Sequence, residues 1–117
     1  MAGTERKINI LGTEYTIYLR TGEECKKLDE NDAGGFCEPY AKELYVRDLP
    51  REKPDPATVA KPEGNVKHNI RHEITHAFLF ESGLAVCSNW AANEELVDWI
   101  ALQAPKLAKA FEEAEAL

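Results

Sequence analysis

The spacing of hydrophobic residues in this chain changes halfway along the sequence. Residues 7–20, KINILGTEYTIYLR, alternate between apolar and polar side chains, and this pattern predicts strands. From residue 66 onward apolar residues recur at intervals of three and four, which is typical of helices with one buried face. Residues 49–65 contain four of the six prolines and are predicted to form a loop without a helix. Strands that precede helices in this way predict an α+β domain.

The predicted sheet is small and antiparallel, and it consists of two hairpins. Residues 7–20 form either two short strands around a turn at Gly12 and Thr13 or one bent strand. The second hairpin spans residues 35–48, with residues 44–46 as its return strand. The first helix packs on this sheet, and two further helices follow it.

The three predicted helices lie after the prolines. Asn65 can cap the first helix and Gly83 can end it. Its apolar face consists of Val66, Ile70, Ile74, Ala77 and Phe78. A second helix is predicted at about residues 91–103, and Pro105 can open a third because proline is tolerated in a first turn.

Length and charge narrow the range of functions. The 117 residues fit a single domain, residues 1–117. The net charge of −7 repels phosphate backbones, so we expect no nucleic-acid partner. No apolar run approaches the roughly 18 residues of a membrane span, and MAGTERKINI lacks the apolar centre of a signal peptide. We therefore expect a cytoplasmic protein with no membrane partner, whose three cysteines are reduced structural thiols.

The first predicted helix contains HEITH, residues 72–76. Positions four apart lie above one another on a helix, so His72 and His76 can direct two imidazoles at one metal ion. Zinc takes such nitrogens at about 2.0–2.1 Å. Glu73 lies about 100° round the helix, where it can accept a proton from water activated by the metal. The same spacing also occurs in ordinary helices with two surface histidines and a solvated glutamate.

A third ligand is needed, because a catalytic zinc site has three protein ligands and one open position. Ser82 stands where the extended motif H-E-x-x-H-x-x-G-x-x-H has its last histidine. Glu94 on the next predicted helix is the preferred ligand, and its neighbour Glu95 is the alternative. Asp98 lies one turn after Glu94, where it can accept the second ring N–H of a ligating histidine and fix its tautomer.

His68 lies one turn before His72. It cannot share one ion with His76, because eight residues of helix separate the two by about 12 Å. We expect His68 at the rim of a cleft or on the surface. The candidates for stabilising a developing oxyanion are His68, Tyr40 and Tyr45.

These segments resemble a known family of metallopeptidases. HEITHAFLFESGL and NEELVDWIA together look like the gluzincins, and more closely like the small ImmA/IrrE-like zinc metallopeptidases of phages and mobile elements. The hairpin GFCEPYAKELYV resembles the strand pair ahead of the zinc-binding helix in that family, and the resemblance covers about residues 34–103. The chain departs from the family pattern in lacking the alanine-rich EA segment after the glutamate.

The resemblance implies a minimal zincin-like fold in which His72, His76 and Glu94 bind Zn²⁺. It implies a zinc-dependent metallopeptidase acting on a protein or peptide, with Glu73 as the general base. Zincins commonly hold substrate as a strand added to a sheet edge, and residues 44–46 are the candidate edge. The alternatives are a non-catalytic zincin-fold binding or structural protein of a phage or mobile element, and hydrolysis of a non-peptide amide. Glu73 favours catalysis, because a binding module needs no general base.

Overall fold

A four-stranded sheet packed on one long helix forms the centre of the computed structural model, which describes residues 4–52, 56–61 and 64–117. Within these ranges the strands are β1 (Glu5–Ile10), β2 (Thr13–Arg20), β3 (Gly35–Glu38) and β4 (Glu43–Arg47). The helices are α1 (Lys26–Glu30), α2 (Leu49–Glu52), α3 (Pro56–Val59), α4 (Val66–Glu81), α5 (Leu84–Cys87) and α6 (Glu94–Glu113), with a 3₁₀ helix at Asn89–Ala92. These elements confirm the predicted α+β class.

Both predicted hairpins are present. β1 and β2 pair antiparallel around Leu11 and Gly12, whose φ angles of 50° and 92° form a two-residue turn that matches the twist of the strands. The first alternating segment is thus two strands rather than one bent strand. β3 and β4 also pair antiparallel, with Phe36 opposite Tyr45.

The sheet is mixed, so the prediction of a wholly antiparallel sheet is wrong. Its strand order is β1-β2-β4-β3, and β2 pairs with β4 in parallel, with Ile17 opposite Leu44. The connection at residues 21–34 stays at one end of the sheet, because β2 ends at Arg20, opposite Arg47, and β3 begins at Gly35, opposite Val46. This connection is long enough to place β3 two strand positions away from β2, which leaves a gap of one strand between them. β4 then returns into the gap and runs parallel to β2.

This strand order also corrects the predicted substrate edge. Residues 44–46 belong to β4, which is paired on both sides and has no free edge for an added strand. Among the described strands, β1 and β3 form the edges of the sheet.

Helix α4 lies across one face of the sheet and buries the core against it. Its cap is as predicted, because the Asn65 side chain accepts a hydrogen bond from the His68 backbone N–H at 3.0 Å. Gly83, at φ 87°, follows its last turn. The buried cluster between helix and sheet comprises Ile10, Tyr15, Ile17, Leu44 and Ala77. This packing fixes the rotation of α4 and with it the direction of His72 and His76.

The two helices predicted at residues 91–103 and from Pro105 onward are one helix, α6. Pro105 lies inside it and has no N–H to donate to the carbonyl of Ala101, four residues earlier. The Arg71 side chain of α4 donates to that carbonyl instead, with Nε 2.6 Å from the oxygen. A neighbouring helix thus replaces the hydrogen bond that the proline removes.

The proline-rich segment contains two single-turn helices, α2 and α3, so the prediction that it has no helix is wrong. Pro50 and Pro56 lie in the first turns of these helices, where an N–H has no partner within the helix. Residues 53–55 and 62–63 of this segment lie outside the described residues. Among the described helices, none has an apolar stretch of the length that a bilayer crossing requires.

Candidate metal centre

The first turn of α6 lies beside the middle of α4. α5 and the 3₁₀ helix turn the chain back after α4, and Asn93 then caps α6 by accepting a hydrogen bond from the Leu96 backbone N–H at 2.9 Å. This cap places Glu94 in the first turn of α6, where the helix dipole favours a carboxylate. His72 and His76, one turn apart on α4, face that carboxylate.

These three side chains converge on one point. The Nε2 atoms of His72 and His76 lie 3.1 Å and 2.7 Å from Oε1 of Glu94. The ligand atoms of the three residues all lie within 4.8 Å of one another, so the group could hold a metal ion. Glu94 and its alternative Glu95 are both exposed, but Glu95 belongs to neither of the metal-capable groups among the described residues.

Asp98 contacts the second nitrogen of His72, at the position that its spacing from Glu94 predicts. Its Oδ1 lies 3.0 Å from Nδ1 of His72 and 2.7 Å from Nε2 of His68. Burial raises the pKa of Asp98, but the hydrogen bonds to the two histidines outweigh this effect and hold the pKa below its ordinary value. Asp98 is therefore ionised and accepts hydrogen bonds from both rings.

His68 is buried, with 3% of its surface exposed, so its predicted position at a rim or on the surface is wrong. The reason is that α6 packs against α4 and brings Asp98 over the turn that contains His68. The row of histidines four residues apart, followed by an acidic helix start, is the signal in the sequence that could have suggested a paired histidine here.

Glu73 lies beside His72 and His76 and is buried, with 5% of its surface exposed. Its carboxylate has no hydrogen bond or ion pair within the part of the chain that the structure describes. Burial raises the pKa of Glu73 from its ordinary 4.5 to about 7, while the nearby His72 lowers it and Glu94 raises it. A carboxyl group with a pKa near neutrality can both accept and release a proton.

Strand β3 passes so close to β4 and to Glu73 that Gly35 has no room for a side chain. A Cβ built at Gly35 lies 2.7 Å from the Tyr45 carbonyl oxygen and 3.1 Å from Cγ of Glu73. Gly35 therefore sets the separation between the strand and the carboxylate. No role was predicted for it, although the glycine pair ahead of the predicted strand indicates a close backbone approach.

The two histidines that face Glu94, together with Glu73, line a cleft of about 380 Å³. Residues 35–37 of β3 form one wall of this cleft. Three small side chains from α5 and the 3₁₀ helix line the other side: Ala85, Ala91 and Ala92. His68 and Asp98 do not line the cleft, and they lie behind His72 and His76.

Cys37 lines the same cleft as a neutral thiol. Burial, and then the nearby carboxylate of Glu73, raise its pKa to about 12. A thiol that stays protonated is a poor nucleophile at neutral pH, and Cys37 belongs to neither of the metal-capable groups among the described residues. All three cysteines are free, as the sequence predicts.

The two tyrosines considered as oxyanion donors lie outside the cleft. The Tyr45 hydroxyl donates to Glu43 at 3.1 Å, and its ring stacks on Tyr18 and Phe36. Tyr40 is 86% exposed. Among the described residues, no hydroxyl-bearing side chain lines the cleft.

A second polar cluster lies at the C-terminal end of α4. Glu81 accepts hydrogen bonds from the Tyr15 hydroxyl at 2.6 Å and from the Lys42 ammonium group at 2.7 Å. The Thr13 hydroxyl donates to the other carboxylate oxygen of Glu81 at 3.2 Å. The hydrogen bonds from Lys42 and then Tyr15 lower the pKa of Glu81 below its ordinary value.

The chain matches no protein-family model, no curated protein and no solved structure. The resemblance to the gluzincins therefore stays a prediction.

Proposed function

We propose that this chain is a zinc-dependent metallopeptidase that hydrolyses peptide bonds. In this proposal His72, His76 and Glu94 hold the zinc ion, and Glu73 is the general base. One observation carries it. Two imidazole nitrogens and a carboxylate oxygen converge in a cleft that is also lined by a buried carboxylate with no hydrogen-bond partner among the described residues.

The set of donor atoms fits zinc. Zinc binds imidazole nitrogen and carboxylate oxygen, and catalytic zinc sites combine three protein ligands with one position for water or substrate. Calcium and magnesium prefer shells of oxygen atoms, so two imidazoles in a group of three favour zinc or another transition metal. The free cysteines, which are typical ligands of closed structural zinc sites, lie outside this group in the described residues.

Glu73 is suited to move the proton in such a reaction. A bound zinc ion would act as a Lewis acid that polarises a carbonyl group and makes a water molecule more acidic. The cation would also favour the ionised form of Glu73, which is the form that accepts a proton. The same carboxyl group can then hold the proton until the leaving amine takes it.

An extended protein or peptide segment is the substrate that suits this cleft. β3 is an edge among the described strands, and its residues 35–37 line the cleft beside the histidines. A peptide added to this edge would pair through its backbone, which requires no particular side-chain sequence. β3 thus replaces residues 44–46 as the proposed docking edge.

Metal content and peptide hydrolysis of the purified chain test the proposal together. We expect about one zinc ion per chain and cleavage of an unfolded protein such as casein. Cleavage should stop when a chelator removes the metal and return when zinc, but not magnesium or calcium, is added. Cleavage that persists in the metal-free protein contradicts the zinc mechanism. Zinc binding without cleavage of any protein or peptide favours the non-catalytic binding protein instead.

A further inference from the structure

His68 is the most buried of the three histidines on α4, with 3% of its surface exposed. Its Nε2 lies 2.7 Å from Oδ1 of Asp98, and the same oxygen lies 3.0 Å from Nδ1 of His72. One carboxylate oxygen therefore joins the two imidazoles. Because His68 does not line the cleft, its route to the cleft is through Asp98 and His72.

The chemistry of a carboxylate fixes the protons on both rings. An ionised carboxylate accepts hydrogen bonds and donates none, so each imidazole presents an N–H to Oδ1 of Asp98. The His68 proton on this contact is at Nε2, and the His72 proton is at Nδ1. When Nδ1 of His72 is held by Asp98, Nε2 is the ring nitrogen left to bind a metal ion, and it lies 3.1 Å from Oε1 of Glu94.

Packing alone does not explain a histidine at position 68. Its Nδ1 is buried and has no hydrogen-bond partner within the described part of the chain. A buried polar atom without a partner opposes folding, and an apolar side chain at this position would avoid that penalty. The Asp98 side chain, in contrast, is 49% exposed and can turn toward water unless a group on α4 holds it.

We propose that His68 is a positioning residue that orients His72 for metal binding through Asp98. The buried imidazole donates to Asp98 and keeps its carboxylate turned toward α4. Asp98 accepts the Nδ1–H of His72 and so keeps Nε2 available to the metal. This inference rests on the proposed metal centre, and it gives the first histidine of the row a role that the H-E-x-x-H spacing does not contain.

The same three side chains also form a group whose ligand atoms lie within 4.8 Å of one another, which could hold a second metal ion. His72 belongs to both groups, and its Nε2 already faces Glu94 in the cleft, whereas His68 and Asp98 do not line the cleft. We therefore assign the second group to hydrogen bonding rather than to metal binding. Two zinc ions bound per chain would overturn the positioning role.

The test compares His68→Leu with His68→Gln in the full chain. Leucine fills the buried space without a donor. The amide nitrogen of glutamine lies as many bonds from Cβ as Nε2 of histidine, so it can still donate to Asp98. We expect zinc affinity, measured by competition with a chelator, to fall about 10–100-fold in His68→Leu and to recover in His68→Gln.

A spectroscopic measurement separates positioning from a general effect on folding. In the metal-free protein, long-range ¹H–¹⁵N correlation NMR reports which nitrogen of His72 carries the proton. We expect Nδ1 of His72 to carry a proton in wild type and His68→Gln, and a mixture of rings with and without a proton on Nδ1 in His68→Leu. Asp98→Ala removes the acceptor without changing the buried position and should give the same mixture. A folded His68→Leu protein that binds zinc as tightly as wild type and keeps the Nδ1–H form overturns the proposal.

The two measurements also separate this inference from the proposed function. A wild-type chain that binds no zinc refutes the metal centre, even if the His72 tautomer changes in His68→Leu. Normal zinc binding by wild type together with an unchanged tautomer and affinity in His68→Leu refutes the positioning role alone.

Discussion

Helix α4 carries two glutamates about two turns apart, and their surroundings are opposite in kind. Glu81 accepts hydrogen bonds from three side chains, those of Thr13, Tyr15 and Lys42. Its pKa is therefore lowered. Glu73 is buried without a hydrogen-bond donor among the described residues, and burial raises its pKa to about 7.

This difference separates a structural carboxylate from one suited to chemistry. The hydrogen-bond donors around Glu81 replace the water molecules that its carboxylate loses on folding, and they connect the end of α4 to the sheet. A rise in the pKa of Glu73 from 4.5 to about 7 corresponds to about 3 kcal/mol against its ionised form. Carboxylates with such perturbed pKa values in clefts are concentrated at functional sites. The proposed zinc ion gives Glu73 the positive charge that Lys42 gives Glu81.

The largest expected effect comes from removing the proposed zinc ion, which compensates the charge of Glu73 and not that of Glu81. Glu94→Ala leaves two ligands, and we expect zinc affinity to fall more than about 100-fold, because loss of a residue that only orients a ligand typically costs about 10–100-fold. Glu95→Ala changes the neighbouring exposed glutamate and should bind zinc like wild type. Zinc titration of both variants measures this. Equal behaviour of the two variants contradicts the proposed ligand set.

The next effect concerns the distance between β3 and Glu73. A Cβ at position 35 lies 2.7 Å from the Tyr45 carbonyl oxygen and 3.1 Å from Cγ of Glu73, so Gly35→Ala has to move β3 relative to β4 and shifts the cleft wall beside the base. Displacement of a reacting group by about 1 Å can cost about 100-fold in rate, and we expect kcat/KM to fall by that order.

Gly12→Ala in the turn between β1 and β2 is the control for Gly35→Ala. Its φ of 92° is strained for alanine, but no atom lies within 4 Å of the added Cβ, so stability should fall while kcat/KM stays the same. Full activity in Gly35→Ala would show that this spacing does not matter.

The two glutamates should give pH dependences of opposite sign in the metal-free protein. Glu73, with its raised pKa, contributes stability below about pH 4.5 and loses that contribution as the pH rises through about 7. Glu81, with its lowered pKa, contributes stability above its ordinary pKa and loses it as the pH falls.

The free energy of unfolding of Glu73→Gln relative to wild type should therefore rise by about 2–3 kcal/mol between about pH 5 and pH 8. Urea unfolding of the two metal-free proteins at several pH values measures this difference. A difference that does not change with pH contradicts the raised pKa of Glu73.

The smallest effect is expected on the side of Glu81. Tyr15→Phe removes the hydroxyl that donates to Glu81 at 2.6 Å and leaves Lys42 in place. We expect the free energy of unfolding to fall by about 1–2 kcal/mol, with no change in zinc affinity. Urea unfolding and zinc titration measure the two quantities. A weaker zinc affinity in Tyr15→Phe would mean that the two clusters are coupled and that the comparison fails.

The features of the site that follow from local spacing could be predicted from the sequence. His72 and His76 share a face because residues four apart do so on any helix, and Glu94 and Asp98 share a face of α6 for the same reason. Asn65 caps α4 through a hydrogen bond to a backbone N–H three residues later. The strands follow from the alternation of apolar residues.

The features that depend on contacts between distant parts of the chain could not be predicted. Parallel pairing of β2 with β4 depends on where the connection at residues 21–34 lies. The continuity of α6 through Pro105 depends on Arg71 from another helix. Burial of His68 depends on the packing of α6 on α4, and the pairing of β4 on both sides makes β3 the edge beside the cleft.

Peptide hydrolysis by Glu73→Gln at the same zinc content as wild type tests the central claim most directly. The substitution removes the base and leaves the three proposed ligands in place. We expect kcat/KM to fall about 10²–10⁴-fold, while Glu81→Gln at equal zinc content cleaves the same peptide at close to the wild-type rate. Equal rates in wild type and Glu73→Gln at equal zinc content would contradict the claim that the uncompensated carboxylate is the general base.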